Sequence, residues 1–135
     1  MKRLLTIMMT ALALLLCSCQ KETPDGAFLA SDGTQLKING RKILEYNPLN
    51  CQMSFNYSTR VFTVVSDNGA DFYSIALSEI PYEAGEQVSG NLQWTSNSVR
   101  KSKNNVALDV YRVEGDRIWL WNAKLDIQVS LDILH

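Results

Sequence analysis

Apolar side chains recur every second residue through most of this chain, and that period decides what it can fold into. The clearest case is LDIQVSLDI (125–133), where Leu125, Ile127, Val129, Leu131 and Ile133 alternate with Asp126, Gln128, Ser130 and Asp132. Successive side chains of a strand point to opposite faces, so the pattern predicts a strand with one buried and one wet face. NVALDVYRV (105–113) behaves similarly, and EGD (114–116) separates it from RIWLWN (117–122), which predicts a hairpin. Asn39-Gly40, between LKI and RKILEY, is the favoured dipeptide of a two-residue turn, and DNGAD divides VFTVVS from FYSIAL. With QMSFNY and QVSGNLQW added, the chain holds eight or nine short strands, and no stretch of the domain carries a helical stripe. The expected fold is all-β, an antiparallel β-sandwich or partly open barrel.

Two longer connections interrupt this rhythm. SEIPYEAGE (78–86) contains Pro81 and Gly85, and TSNSVRKSKNN (95–105) is polar and basic through Arg100, Lys101 and Lys103. Loops on a rigid β scaffold are common places for binding groups. Three cations are too few to diagnose a partner, and both segments read as solvated connections.

The N-terminal residues have a different character. Lys2 and Arg3 precede an apolar run, residues 4–16, broken only by Thr6 and Thr10, and small or polar residues follow. That is the three-part build of a secretory signal peptide, and its apolar part is well short of the about 20 residues a spanning helix needs. Leu16, Cys17, Ser18 and Cys19 resemble a bacterial lipobox. The resemblance implies cleavage between Ser18 and Cys19, loss of Cys17 with the signal, and a diacylglyceryl thioether on Cys19. Residues 1–18 are thus expected to be a lipoprotein signal peptide, residues 19–27 a lipidated cysteine with a polar tether, and residues 28–135 a single β domain. One domain of that length can bury a sufficient core without staples.

Processing sharpens the arithmetic of both charge and cysteine. Removing Lys2 and Arg3 leaves eleven basic against fourteen acidic side chains, about three net negative charges, which supplies no basic field for a nucleic acid. Cys51 is then the one thiol left, expected to be a small buried hydrophobe, since the sole histidine, His135, is the last residue and offers no nucleophile–base pair.

Candidate chemistry is sparse. Asp109, Asp126 and Asp132 sit at alternating strand positions, where paired carboxylates could serve a hydrolase, but as the polar side of amphipathic strands they need no catalytic role. No G-x-S-x-G, phosphate loop or metal-ligand spacing occurs in the sequence, so no catalysis, cofactor or metal is expected. RIWLWN is the strongest binding feature. Trp119 and Trp121 project from one face of a strand and Ile118 and Leu120 from the other. Exposed, and joined by Tyr111 and Trp94, the tryptophans would form an aromatic platform for a glycan or protein partner; buried, they mark a central strand covered on both faces.

Lipobox, short tether and small all-β unit together resemble the small surface or outer-membrane lipoproteins of Bacteroides-type bacteria. The likeness rests on Cys19 with QKE behind it, the opening LKINGRKI, and the YRVEGDRIWLW hairpin. It implies an outer-membrane lipoprotein, held to the membrane through its lipid and facing the periplasm or the surface. Its β domain is then a noncatalytic binding or structural module of the cell envelope.

The anchor gives a direct expectation. Cys19→Ala should leave the chain unprocessed at the signal-peptidase step or released from the membrane fraction. An unmodified residue at the mature N-terminus, found by mass spectrometry, would contradict it.

Overall fold

The structure is a computed structural model that describes residues 33–133; the expected signal peptide, Cys19 and the expected tether lie outside them. Within that span the chain forms nine antiparallel strands and no helix. They are β1 (Gln35–Ile38), β2 (Arg41–Glu45), β3 (Cys51–Asn56), β4 (Val61–Ser66), β5 (Phe72–Leu77), β6 (Gln87–Ser96), β7 (Val99–Glu114), β8 (Arg117–Asn122) and β9 (Ile127–Asp132). All belong to one sheet, in the order β2-β1-β9-β8-β7-β6-β5-β4-β3, curled into a half barrel. This is the all-β antiparallel architecture expected from the alternation, in its partly open barrel form.

Local chemistry sets the turns. Asn39 and Gly40 have φ of 53° and 75°, the left-handed pair that a type I′ hairpin turn requires, and they join β1 to β2. Asn97 and Ser98, at φ 52° and 66°, make the same kind of turn between β6 and β7. Segment 95–105 is therefore not the connection expected. It is the tip of a long hairpin in which Trp94 pairs with Lys101 and Ser96 with Val99. No glycine or proline lies between residues 91 and 114 to break the ladder, so backbone pairing extends past the core into residues exposed on both faces. SEIPYEAGE does form a connection, tied down by two amides, Tyr82 N–H and Glu83 N–H, that donate to the Glu86 carboxylate.

The core fills the concave side. Leu36, Phe62, Val64, Tyr73, Ile75, Leu92, Leu108, Ile118, Leu120, Val129 and Leu131 are buried there, drawn from strands along most of the sheet. Gly90 shows how closely they pack: a Cβ at that position would lie 3.0 Å from Ile75 Cδ1 and 3.1 Å from Leu108 Cδ1. Cys51 is a free thiol at the margin of this core, buried as expected, its Sγ 3.2 Å from Asn50 Oδ1.

β9 departs from the expected pattern. Its alternation is real, but every residue from Ile127 to Asp132 is buried, whereas Leu125 and Asp126 belong to the exposed turn before it. The strand lies between β1 and β8, and its polar side chains find partners instead of water. Ser130 Oγ donates to the Gly33 carbonyl oxygen and accepts from Gln35 N–H, both at 2.9 Å. Asp132 accepts from Arg117 Nε at 2.8 Å, across the β8–β9 pairing. Alternating polarity thus marks which face each residue takes, and hydrogen bonding lets the polar face be covered as well.

Tyr73 ties the concave core to this strand, its hydroxyl donating to the Ser130 carbonyl oxygen at 3.1 Å. Burial pushes its ionisation well above the ordinary tyrosine value, and the negative charges of Asp132 and Glu45 add to the shift. Above pH ~10 the unfolded tyrosine loses its proton while the folded one keeps it, so the contribution to stability is complete below that pH and falls as pH rises beyond it. Tyr73→Phe should cost about 0.5–1.5 kcal/mol at neutral pH through the lost hydrogen bond. Urea melts between pH 9 and 11 should show a shallower alkaline decline for the variant than for the parent chain. Parallel declines would contradict the assignment.

Candidate functional site

The short strands of a curled sheet leave two ends, and among the described residues a cavity lies where loops gather at one of them. At one end lie the β3–β4 turn, the β5–β6 loop, the β7–β8 turn and the residue that follows β9. They bring together Tyr57, Ile80, Pro81, Tyr82, Gly115, Asp116 and Ile133 around a cavity of about 390 Å³. Its floor is apolar: Ile118 and Ile133 are buried, and Ile80 and Val113 pack against the core. Its rim is aromatic, with Tyr57 44% and Tyr82 79% exposed.

The backbone holds this end in shape. Ile133 N–H donates to the Asp116 carbonyl oxygen at 2.7 Å, which carries the β8–β9 pairing out to the rim. Asn56 Oδ1 accepts from Ser58 N–H and Thr59 N–H and so fixes the turn that presents Tyr57. The Phe55 ring meets Tyr57 edge-on at 4.9 Å between centroids. Partial loss of solvation, then the charges of Asp116 and Tyr82, raise the Tyr57 hydroxyl above its ordinary ionisation. An apolar floor, two aromatic rings and one carboxylate can hold a ligand that has an apolar face and hydrogen-bond donors at its edge.

A second cavity, of about 660 Å³, opens where β2 meets the start of β3. It is lined by Glu45, Asn47, Asn50, Cys51, Asp67 and Asn68, among others. Its amide side chains are occupied with their own turns: Asn47 Oδ1 accepts from Leu49 N–H, and Asn68 Oδ1 accepts from Ala70 N–H. This cavity is larger, but Asn47 and Asn68 serve the chain's own bends and Glu45 is paired with Lys42, so the tyrosine-rimmed cup, with its apolar floor, is the better candidate.

The residues singled out by sequence lie elsewhere. Trp119, Trp121 and Trp94 are 2%, 7% and 5% exposed, so they do not form the open aromatic platform, and the covered central strand is what the chain builds. Trp94 belongs to the concave core, while Trp119 and Trp121 stand on the outer face of β8. There the Arg112 guanidinium lies 4.3 Å from the centroid of the Trp119 ring, and Tyr111 meets Trp121 edge-on at 6.2 Å. Tyr111, half-buried, lines a shallow depression with Glu86 and Asp109, away from the cup.

The three aspartates are not gathered either. Asp109 accepts from Gln87 Nε2 at 3.0 Å, Asp126 sits in the β8–β9 turn, and Asp132 is paired with Arg117 at the opposite end of β9. Among the described residues no group of three or more His, Cys, Asp or Glu is placed to hold a metal ion. Sequence reasoning missed Tyr57, Tyr82 and Asp116. The available signal was Pro81-Tyr82 within the longer β5–β6 connection, one of the two segments expected to be loops.

Burial of the tryptophans makes an opposite prediction from exposure. Trp119→Ala and Trp94→Ala should each lower unfolding free energy by roughly 3–5 kcal/mol in urea melts, because a large packed ring is removed. A loss under about 0.5 kcal/mol would mean that the ring is exposed in solution.

No protein-family model, curated protein or solved structure matches this chain, so what the site can do follows from its own side chains.

Proposed function

We propose that this chain is a lipid-anchored protein of the bacterial outer membrane, tethered through Cys19, whose half barrel binds a ligand noncovalently in the tyrosine-rimmed cup. The carrying observation is the pairing of exposed Tyr57 and Tyr82 with a floor of Ile80, Val113, Ile118 and Ile133. Large apolar side chains left at a surface, rimmed by polar groups around a concavity, mark a recognition site more often than chance exposure. The lipobox supports the anchor and the signal peptide supports export. The role is a binding module of the envelope rather than a catalyst, consistent with the resemblance to small Bacteroides-type lipoproteins.

A glycan is the favoured ligand class within this reading. Tyrosine rings offer flat faces for the C–H side of a sugar ring, and the Asp116 carboxylate beside them suits an accepting role toward hydroxyl groups. A protein partner inserting an apolar side chain would use the same floor.

Tyr82 separates binding from folding because it is exposed. Tyr82→Ala should change stability by about 0.5 kcal/mol or less yet remove binding to soluble oligosaccharides in calorimetric titrations of the full chain. Ile118→Asp should unfold it. Oligosaccharide binding that persists in Tyr82→Ala would place the site elsewhere.

A further inference from the structure

β7 is much longer than the strand beside it. β8 pairs only with Asp109–Glu114, so Val99–Leu108 have β6 on one side and no described strand on the other. Among the described residues the last tie across this gap is Asn122 Nδ2, which donates to the Ala107 carbonyl oxygen at 2.7 Å. The register shows which backbone groups are left over. The two-residue turn at Asn97-Ser98 makes Ser96 and Val99 a hydrogen-bonded pair, and in an antiparallel ladder such pairs alternate with pairs whose N–H and C=O point away. Arg100 and Ser102 therefore turn their amides and carbonyls outward, about 7 Å apart along the edge. Residues 99–105 are exposed throughout, so no part of the described chain lies over them. A register shift between Gly90 and Leu92 ends the regular edge, where Asn105, at φ 54°, donates its N–H to Asn91 Oδ1.

Charge and shape define what this edge accepts. Lys101 and Lys103 pair with Trp94 and Leu92 and share one face; Arg100 takes the other, its guanidinium 5.0 Å from the centroid of the Phe72 ring. Beyond Lys103 the edge runs into a groove of about 340 Å³ lined by Lys103, Asn105, Val106, Asn122, Lys124 and Leu125, with no carboxylate among its lining residues. Among the described residues, Arg100, Lys101, Lys103 and Lys124 take part in no ion pair. The chain as a whole carries a formal charge of -1, so this positive field is local to the edge. A second copy of the chain laid edge to edge would set these cations against one another, and like charges directly opposite destabilise a strand pair. A polyanion without a peptide backbone would neutralise the cations and leave the edge unpaired.

We propose that the free edge of β7 is a docking site for an extended acidic peptide, which adds a strand antiparallel to Val99–Lys103 in line with β8. The peptide main chain takes the outward N–H and C=O groups of Arg100 and Ser102. Carboxylates two residues apart on the peptide share a face and meet Lys101 and Lys103. An apolar side chain preceding them lies in the groove against Leu125, which is 39% exposed, between Lys103 and Lys124. This site is at the far end of β7 from the tyrosine-rimmed cup and stands independently of what the cup binds.

Titrating the full chain in detergent with a short labelled peptide of valine and threonine, carrying aspartates two residues apart, tests the site. The same peptide with asparagines in their place should bind about fivefold weaker or more. Lys101→Glu combined with Lys103→Glu should turn the preference toward a peptide bearing lysines. Ser102→Pro keeps every charge and removes an N–H that β6 does not use, so it should abolish binding while the β-sheet circular dichroism stays. In the unaltered chain the amides of Arg100 and Ser102 should exchange at least about tenfold slower with saturating peptide, a measurement that decides even where Ser102→Pro does not fold. No binding, binding without that protection, equal affinity for the two peptides, or full binding by a folded Ser102→Pro chain overturns the proposal. An aspartate preference that survives charge reversal does so too. Protection of the same amides that grows with protein concentration in the absence of peptide would make a second copy the occupant, and equal protection by a sulfated polysaccharide would make the edge a polyanion site; either result overturns the peptide assignment.

Discussion

A five-residue link between the two edge strands governs this fold. β2 and β3 stand at opposite ends of the sheet order, yet only residues 46–50 join them. Nine strands laid flat would put those edges about 38 Å apart, while the link spans about 20 Å at most. The sheet has to curl, and Cys51 Sγ lies 4.0 Å from the Glu45 carbonyl oxygen where the two ends meet. It cannot close fully. Eight antiparallel steps leave β2 and β3 running in the same direction, and a side-by-side parallel pairing needs a crossover of about a dozen residues or more. The half barrel is the compromise, and from it follow the concave core, the polar opening at the seam and the tyrosine-rimmed cup at one end.

Curling also divides the aromatic residues between three environments. Trp94 and Tyr73 turn inward, Trp119 and Trp121 turn outward on β8, and Tyr57 and Tyr82 ride on loops at the rim. Each placement is tied to charge or hydrogen bonding as well as to area. Tyr73 reaches the Ser130 carbonyl, Trp119 lies under Arg112, and Arg112 is itself paired with Glu114. Because β9 is central, its serine and aspartate act as fasteners between strands where exposed counterparts would face water.

Much of the fold was legible in the sequence because strands announce themselves locally. Asn39-Gly40, DNGAD and EGD each mark a turn, and the alternation in 127–132 is present in the structure residue by residue. What alternation cannot convey is whether the polar face is covered, which depends on partners such as Arg117 and the backbone around Thr34. Polarity misled at 95–105, where ladder hydrogen bonds sustain a ribbon that buries little. The cup was barely legible. Tyr57, Tyr82, Asp116 and Ile133 are scattered over the chain, and only the curl forced by the β2–β3 link gathers them. RIWLWN drew attention by its density of large rings, and that same density is what a strand covered on both sides requires.

The pairing of β1 with β9 gives the chain an order of assembly. Every other neighbouring pair in the sheet joins strands consecutive in sequence, but Leu36 meets Val129. The first hairpin to leave a ribosome or a translocation channel thus waits for the last strand, while β3 to β8 can zip up one hairpin at a time. Loop-closure entropy falls on this single long-range union, so it sets the pace of folding. A chain arrested before its last ten residues would present a waiting hairpin and an unpaired β8, each missing the same partner.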